Sequence, residues 1–180
     1  MRKRLVVGTL AAAAVTVPLL GAGGAHAQDV TFTLTGGSLA ITEPGAATLT
    51  AGALSGLTGT SFTGSLGNTT VTDSRGGITG WATTIAQTTA FTDGTTTIPA
   101  GNVKAWVAAP IVPTGVATVT SGLYLTQLTG LTLTGTGQTF VSATAVLGNN
   151  SATFNPSIAV TVPSDATAGT YSGVITQTVS

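Results

Sequence analysis

Ser157-Ile158-Ala159-Val160-Thr161-Val162-Pro163 and, beyond a short loop, Tyr171-Ser172-Gly173-Val174-Ile175-Thr176-Gln177-Thr178-Val179 are the two stretches that decide the fold class. In the first, Ile158, Val160 and Val162 alternate with Ala159 and Thr161. This period of two puts one face of an extended chain into a core. Pro163 stops that strand because it cannot donate to a continuing ladder. Ser164 to Gly169 supply the loop, and the alternation then resumes. Tyr171, Gly173, Ile175, Gln177 and Val179 share one face, and Ser172, Val174, Thr176 and Thr178 share the other. The pair reads as strand, turn and closing strand.

Upstream, the same period recurs. Val30, Phe32 and Leu34 alternate with Thr31, Thr33 and Thr35, which predicts a first strand ended by Gly36-Gly37. Leu39 and Ile41 continue in a second strand, closed by Glu43-Pro44-Gly45. Residues 48–67 hold no regular pattern. Leu54-Ser55-Gly56-Leu57-Thr58-Gly59 repeats loosely, but no fixed period survives, so a loop or frayed edge is expected there. Thr69 to Asp73 is a strand, and Asp73-Ser74-Arg75-Gly76-Gly77 a turn, in which the aspartate can accept from backbone two residues on. Further strands are expected around Trp81 to Ile85, Val103 to Val107, Val116 to Thr126, Leu131 to Leu133 and Phe140 to Val146. Ile98-Pro99 is a break, and Pro110 and Pro113 exclude regular ladder positions. Thr and Val dominate, Gly and Ser punctuate, and helical periodicity is nowhere sustained. The expected fold is all-β: a single antiparallel β-sandwich over residues 28–180, immunoglobulin-like in the broad sense. Its core should unite Phe32, Trp81, Ile158, Val160, Tyr171 and Ile175.

The N-terminus reads differently. Arg2, Lys3 and Arg4 precede an apolar run from Leu5 to Leu20, and Ala25-His26-Ala27 offers small residues around a cleavage point. This is the pattern of a secretory signal peptide over residues 1–27. The run is short for a membrane span, so no integral membrane segment is expected once it is removed. Three of the five basic residues and the one histidine leave with it. Arg75 and Lys104 then stand against Asp29, Glu43, Asp73, Asp93 and Asp165, a formal charge of −3 from two cations and five acids. No basic patch remains to bind nucleic acid or anionic lipid. The sequence has no cysteine, so an exported form would rely on its core, not on disulfides.

The same composition argues against an enzyme. Nucleophilic catalysis ordinarily needs a base such as histidine, and residues 28–180 contain none. Thiol chemistry and zinc sites built on His or Cys are excluded, and no Asp-rich calcium loop occurs. The acids fall in separate turns or strand ends, where a glycosidase-like pair is not expected. No cofactor is implied. Asp73 and Arg75 are expected to form a solvated turn pair worth under about 1 kcal/mol. Two tryptophans carry a double reading. Exposed, either offers a face on which a sugar ring stacks; buried, it fills the space between sheets. Trp81, in step with Ile85, favours burial, whereas the neighbours of Trp106 do not fix its face.

Three stretches carry a resemblance. They are Val71-Thr72-Asp73-Ser74-Arg75-Gly76 with Gly80-Trp81, Asn149-Asn150-Ser151-Ala152-Thr153-Phe154-Asn155-Pro156, and Ala168-Gly169-Thr170-Tyr171 through Val179. Together they resemble the WxL surface domain of Gram-positive bacteria, in particular the shorter WxL-like secreted proteins of actinobacteria. The first Trp-x-Leu motif stands here as Trp81-Ala82-Thr83, keeping the Trp, and the second as Gln177-Thr178-Val179, keeping an aliphatic residue. The resemblance implies a secreted, cell wall-associated protein that binds peptidoglycan or a surface protein without covalent attachment. Trp81, Trp106 and Gln177 are the candidate wall- or glycan-binding residues. No sorting motif follows Val179, so retention is expected to be by binding. Tyr171, straight after a glycine-containing corner, also resembles the tyrosine corner of immunoglobulin-like sandwiches. The alternative is a structural subunit, pilin-like or coat-like, that oligomerises by strand exchange, since an edge-capable strand closes the fold.

Overall fold

A computed structural model describes residues 31–49, 60–108 and 110–180. The expected leader over residues 1–27, Val30 and the loose repeat at 54–59 lie outside the described residues. The chain divides after Leu34 into two units, and of the first only residues 31–34 are described. Here the first expectation fails. Residues 31–34 belong to no strand, and Phe32 and Leu34 are 89% and 88% exposed instead of sharing the core. Alternation fits a segment for a sheet face, but a strand exists only where another edge accepts its hydrogen bonds. Among the described residues no such edge is paired with this segment.

The second unit is all-β and antiparallel throughout. Its strands are β1 (Leu39–Thr42), β2 (Ser61–Ser65), β3 (Thr69–Asp73), β4 (Trp81–Thr92), β5 (Thr97–Ile98), β6 (Val103–Val107), β7 (Val112–Thr120), β8 (Leu131–Thr132), β9 (Gln138–Phe154), β10 (Pro156–Thr161) and β11 (Ser172–Val179). They form two sheets. The larger is built on β9, whose first half pairs with β4 and whose second half pairs with β3, while β7 runs along its other side. Outside these lie β1 against β3, β11 against β4, and β5 beside β4. The smaller sheet has the order β2-β10-β6-β8.

One long strand can serve both halves because it is broken conformationally between them. Ala145 has φ 51° and Gly148 φ 72°, both left-handed, and they separate the β4-paired from the β3-paired half of β9. The core fills the space between the sheets with Val71, Trp81, Ile85, Val103, Phe140, Val141, Phe154, Ile158 and Val160 among its buried members. Tyr124 stacks on Phe140 with ring centroids 6.2 Å apart. β10 lies between two strands and is buried along both faces, which is why its alternation was only half of its character.

Elsewhere the chain corrects the reading in three places. The strand expected over Val116 to Thr126 runs instead from Val112 to Thr120, with residues 121–126 in turns and loop, and the other two concern β2 and Pro113. β2 lies in a segment expected to be irregular. Pro113 sits within β7, where a proline is tolerated because β7 has a partner strand on one side only among the described residues. The closing strand is as expected: Gln177 is buried and Tyr171, Gly173, Ile175 and Val179 are half-buried, whereas Ser172, Val174 and Thr178 are exposed. Tyr171 packs at the rim of the core, and its hydroxyl donates to the Thr167 carbonyl at 3.0 Å, the upstream backbone bond of a tyrosine corner.

Candidate functional site

Two polar constellations stand out, and each contains residues singled out from the sequence. The first lies where β3, β4 and β9 meet. Asp73 ends β3, and its side chain is buried, not solvated as expected. Arg75 grips it twice: Nε donates to Oδ1 at 2.9 Å and Nη2 to Oδ2 at 3.0 Å, while Nη2 also reaches the carbonyls of Thr79 and Gly80 at 3.2 and 3.1 Å. The Arg75 amide donates to Oδ1 as well, the turn bond anticipated for this aspartate. Asn150, paired with Asp73 across the sheet, donates Nδ2 to Oδ2 at 3.3 Å and accepts the Trp81 indole N–H on Oδ1 at 3.0 Å. The Arg75 hydrogen bond holds the Asp73 carboxyl below its ordinary range, and the same contact raises Arg75. Trp81 is therefore a structural residue. At 3% exposure it has no face free for a sugar.

The second constellation surrounds Gln177. This side chain is buried where the end of β1 approaches β11. Its Nε2 donates to Glu43 Oε2 at 2.6 Å and to Thr69 Oγ1 at 3.1 Å, tying β11 to the segment after β1 and to the start of β3. Its Oε1 is buried without a partner. A buried carbonyl oxygen left unpaired costs about 1–3 kcal/mol. Beside it an open cleft of about 480 Å³ is lined by residues 173–177 of β11, by residues 43–47, and by the apolar side chains of Leu49, Leu66, Phe91 and Ile158.

The shape of that cleft follows from a simple count. Residues 173–177 are consecutive, and their side chains point alternately to opposite faces. All five line one space only if the space runs along the strand's edge. β11 pairs with β4 on one side and with no strand on the other among the described residues. The cleft is thus a slot of mixed polar and apolar lining along the edge of β11 that pairs with no strand among the described residues.

Trp106 is apart from both constellations. It lies half-buried in β6 on the face shared with Lys104, opposite Val103, Ala105 and Val107. The three sequence candidates accordingly occupy three environments: Trp81 in a buried network, Gln177 at the cleft, and Trp106 on the outer face of the smaller sheet. Sequence reasoning missed Glu43, Thr69 and Asn150 as partners, since their contacts cross 69 to 134 residues. The one local hint was that Gln177 is a polar residue in an inward-patterned register.

Among the described residues no three His, Cys, Asp or Glu side chains gather as a metal site would require, and no helix is long and apolar enough to cross a membrane. No known family, curated protein or solved structure matches this chain.

Proposed function

We propose that this is a non-enzymatic, exported surface protein that binds an extended segment of a protein partner along β11, in preference to a sugar of the cell wall. The observation that carries the reading is the edge of β11 at residues 173–177, set in a cleft with apolar side chains on its floor and the unpartnered Gln177 Oε1 beside it. Strand addition obtains its affinity from main-chain hydrogen bonds and its selectivity from pockets for alternate side chains. The cleft offers both, with Leu66, Phe91 and Ile158 as the apolar floor. A backbone N–H or a hydroxyl arriving there would also satisfy Gln177 Oε1. Sugar recognition has less support, because it relies on exposed aromatic faces: Trp81 has none, and Trp106 is half-buried and stands apart from the cleft.

The discriminating measurement is a nuclear magnetic resonance titration of the isotope-labelled protein. One arm adds short uncharged peptides in which Val or Phe alternates with Thr; the other adds soluble peptidoglycan fragments. The peptides should shift the amides of Gly173 to Gln177, and the fragments should leave them unmoved. Saturable shifts with the fragments and none with the peptides would replace this reading by wall binding.

A further inference from the structure

The cleft needs a strand, and the chain contains a strand without a sheet. Thr31-Phe32-Thr33-Leu34-Thr35 has the period of two expected of a β-strand, yet residues 31–34 are in no strand and both large apolar side chains are exposed. Resting on the strand-binding reading above, we propose that the occupant of the β11 cleft is this segment from a second copy of the chain.

Four features match the two. The cleft runs along five residues, Gly173 to Gln177, and is closed at the Gln177 end by the bond to Glu43; the segment Thr31–Thr35 is as long. Strand neighbours share faces, so Phe32 and Leu34 placed inward like Ile175 and Gln177 would meet Leu66, Phe91 and Ile158. Thr31, Thr33 and Thr35 would then flank Val174 and Thr176 on the outer face, beside the hydroxyls of Thr88 and Thr176 that already bond at 2.7 Å. Finally, the segment and residues 173–177 are uncharged, and Glu43, the one ionic side chain in the lining, is already held by Gln177 Nε2.

The other long edge does not compete. β7 carries Pro113 and a left-handed Gly115 (φ 74°), which blunt an edge; its register with β9 shifts twice, as does that of β11 with β4, so the proline and the glycine make the difference. Between Gly173 and Gln177 there is neither proline nor charge. Because each copy holds one donor segment and one acceptor edge, two copies that exchange segments close as a dimer, and copies that donate in one direction propagate head to tail.

The chain has no cysteine, which makes the test direct. Single substitutions Thr31→Cys, Thr33→Cys and Thr35→Cys are each mixed with Val174→Cys in the full-length protein, under mild oxidation and in a detergent that masks the apolar Leu5–Leu20 run. For at least one pairing, disulfide heterodimers should form at least about tenfold faster than with a Val116→Cys control on β7. Adding Phe32→Asp and Leu34→Asp to the donor should abolish the cross-link while its thermal unfolding stays unchanged, since both side chains are exposed. Equal rates for the β11 and β7 cysteines would overturn the proposal. So would a Thr33→Cys/Val174→Cys double variant that closes only within one chain. If the peptides above bind β11 but no copy-to-copy cross-link forms, the partner is another protein and only this inference fails.

Discussion

Asp73, Arg75, Asn150 and Trp81 show how much one turn can hold. The carboxylate is buried but has four donors, so the cost of removing it from water is met by charge-assisted hydrogen bonds. Replacing it with Ala leaves Arg75 Nε without its acceptor, while Arg75 Nη2 keeps the Thr79 and Gly80 carbonyls and Asn150 Nδ2 keeps that of Gly148. Asp73→Ala should therefore lower the unfolding free energy by about 2–3 kcal/mol in urea titrations. Arg75→Lys should recover only part of the wild-type stability, because an ammonium cannot make the two parallel bonds of a guanidinium. Trp81→Phe keeps an aromatic ring, though a smaller one, and orphans Asn150 Oδ1, at about 1–3 kcal/mol for the lost hydrogen bond. Asp93 gives the acid limb. Its Oδ1 accepts from the amides of Thr96 and Thr95 and Oδ2 from the Thr167 hydroxyl, which hold its pKa at about 2 against an ordinary 3.8. A depressed pKa means that the stabilisation is complete above 3.8 and is lost as the pH falls towards 2. Asp73, lowered in the same direction, adds to the loss. Thermal midpoints should fall steeply only below about pH 4, and less steeply in Asp93→Asn; a midpoint flat down to pH 2 would contradict the assignment.

At the scale of elements, legibility tracked the number of sides on which a strand is constrained. β11 was readable because one of its faces is inward and the other wet, so the period of two is printed in Ile175, Gln177 and Val179. β6 was readable for the same reason. β2 was not, since Ser61-Phe62-Thr63-Gly64-Ser65 has one large apolar residue and is held by backbone pairing to β10. The segment 31–35 had the pattern but lacks the partner, and no sequence period encodes the presence of a second edge. The cleft was invisible for a related reason: it is defined by what does not pair with β11. Two substitutions probe these elements. A Cβ on Gly173 would come within 2.9 Å of Phe91 Cδ1 and of the Thr89 carbonyl oxygen, so Gly173→Ala should cost about 1–3 kcal/mol and distort the cleft. Ala145, at φ 51° in the interruption of β9, bears a penalty that glycine does not. Ala145→Gly should leave stability unchanged or raise it by up to about 1 kcal/mol, after the entropic cost of the added glycine is subtracted.

For the whole second unit, cohesion comes from joining segments far apart in sequence. β3 pairs with β9 through Thr69↔Phe154, β2 with β10 through Ser61↔Thr161, and the Glu43–Gln177 bond spans 134 residues. No disulfide shortens these loops, so their closure entropy must be met by burial at the moment of folding. The rate-limiting state must therefore assemble β9 with both β3 and β4 around Phe140, Phe154 and Trp81 before much local structure is worth keeping. Chains dominated by such non-local pairings fold in milliseconds to seconds, not microseconds. Stopped-flow refolding from urea, followed by tryptophan fluorescence, reports on this directly, since Trp81 is buried and Trp106 half-buried. The main phase should lie at about 1–100 per second at 25 °C. Phe140→Ala, which removes a ring at 2% exposure in the middle of that assembly, should cost about 3–5 kcal/mol and slow folding as well as speed unfolding. Phe32→Ala, at 89% exposure, should change neither rate at concentrations where copies do not meet. A refolding phase faster than about 100 microseconds, insensitive to Phe140→Ala, would mean that local hairpins and not the β9 assembly organise the fold.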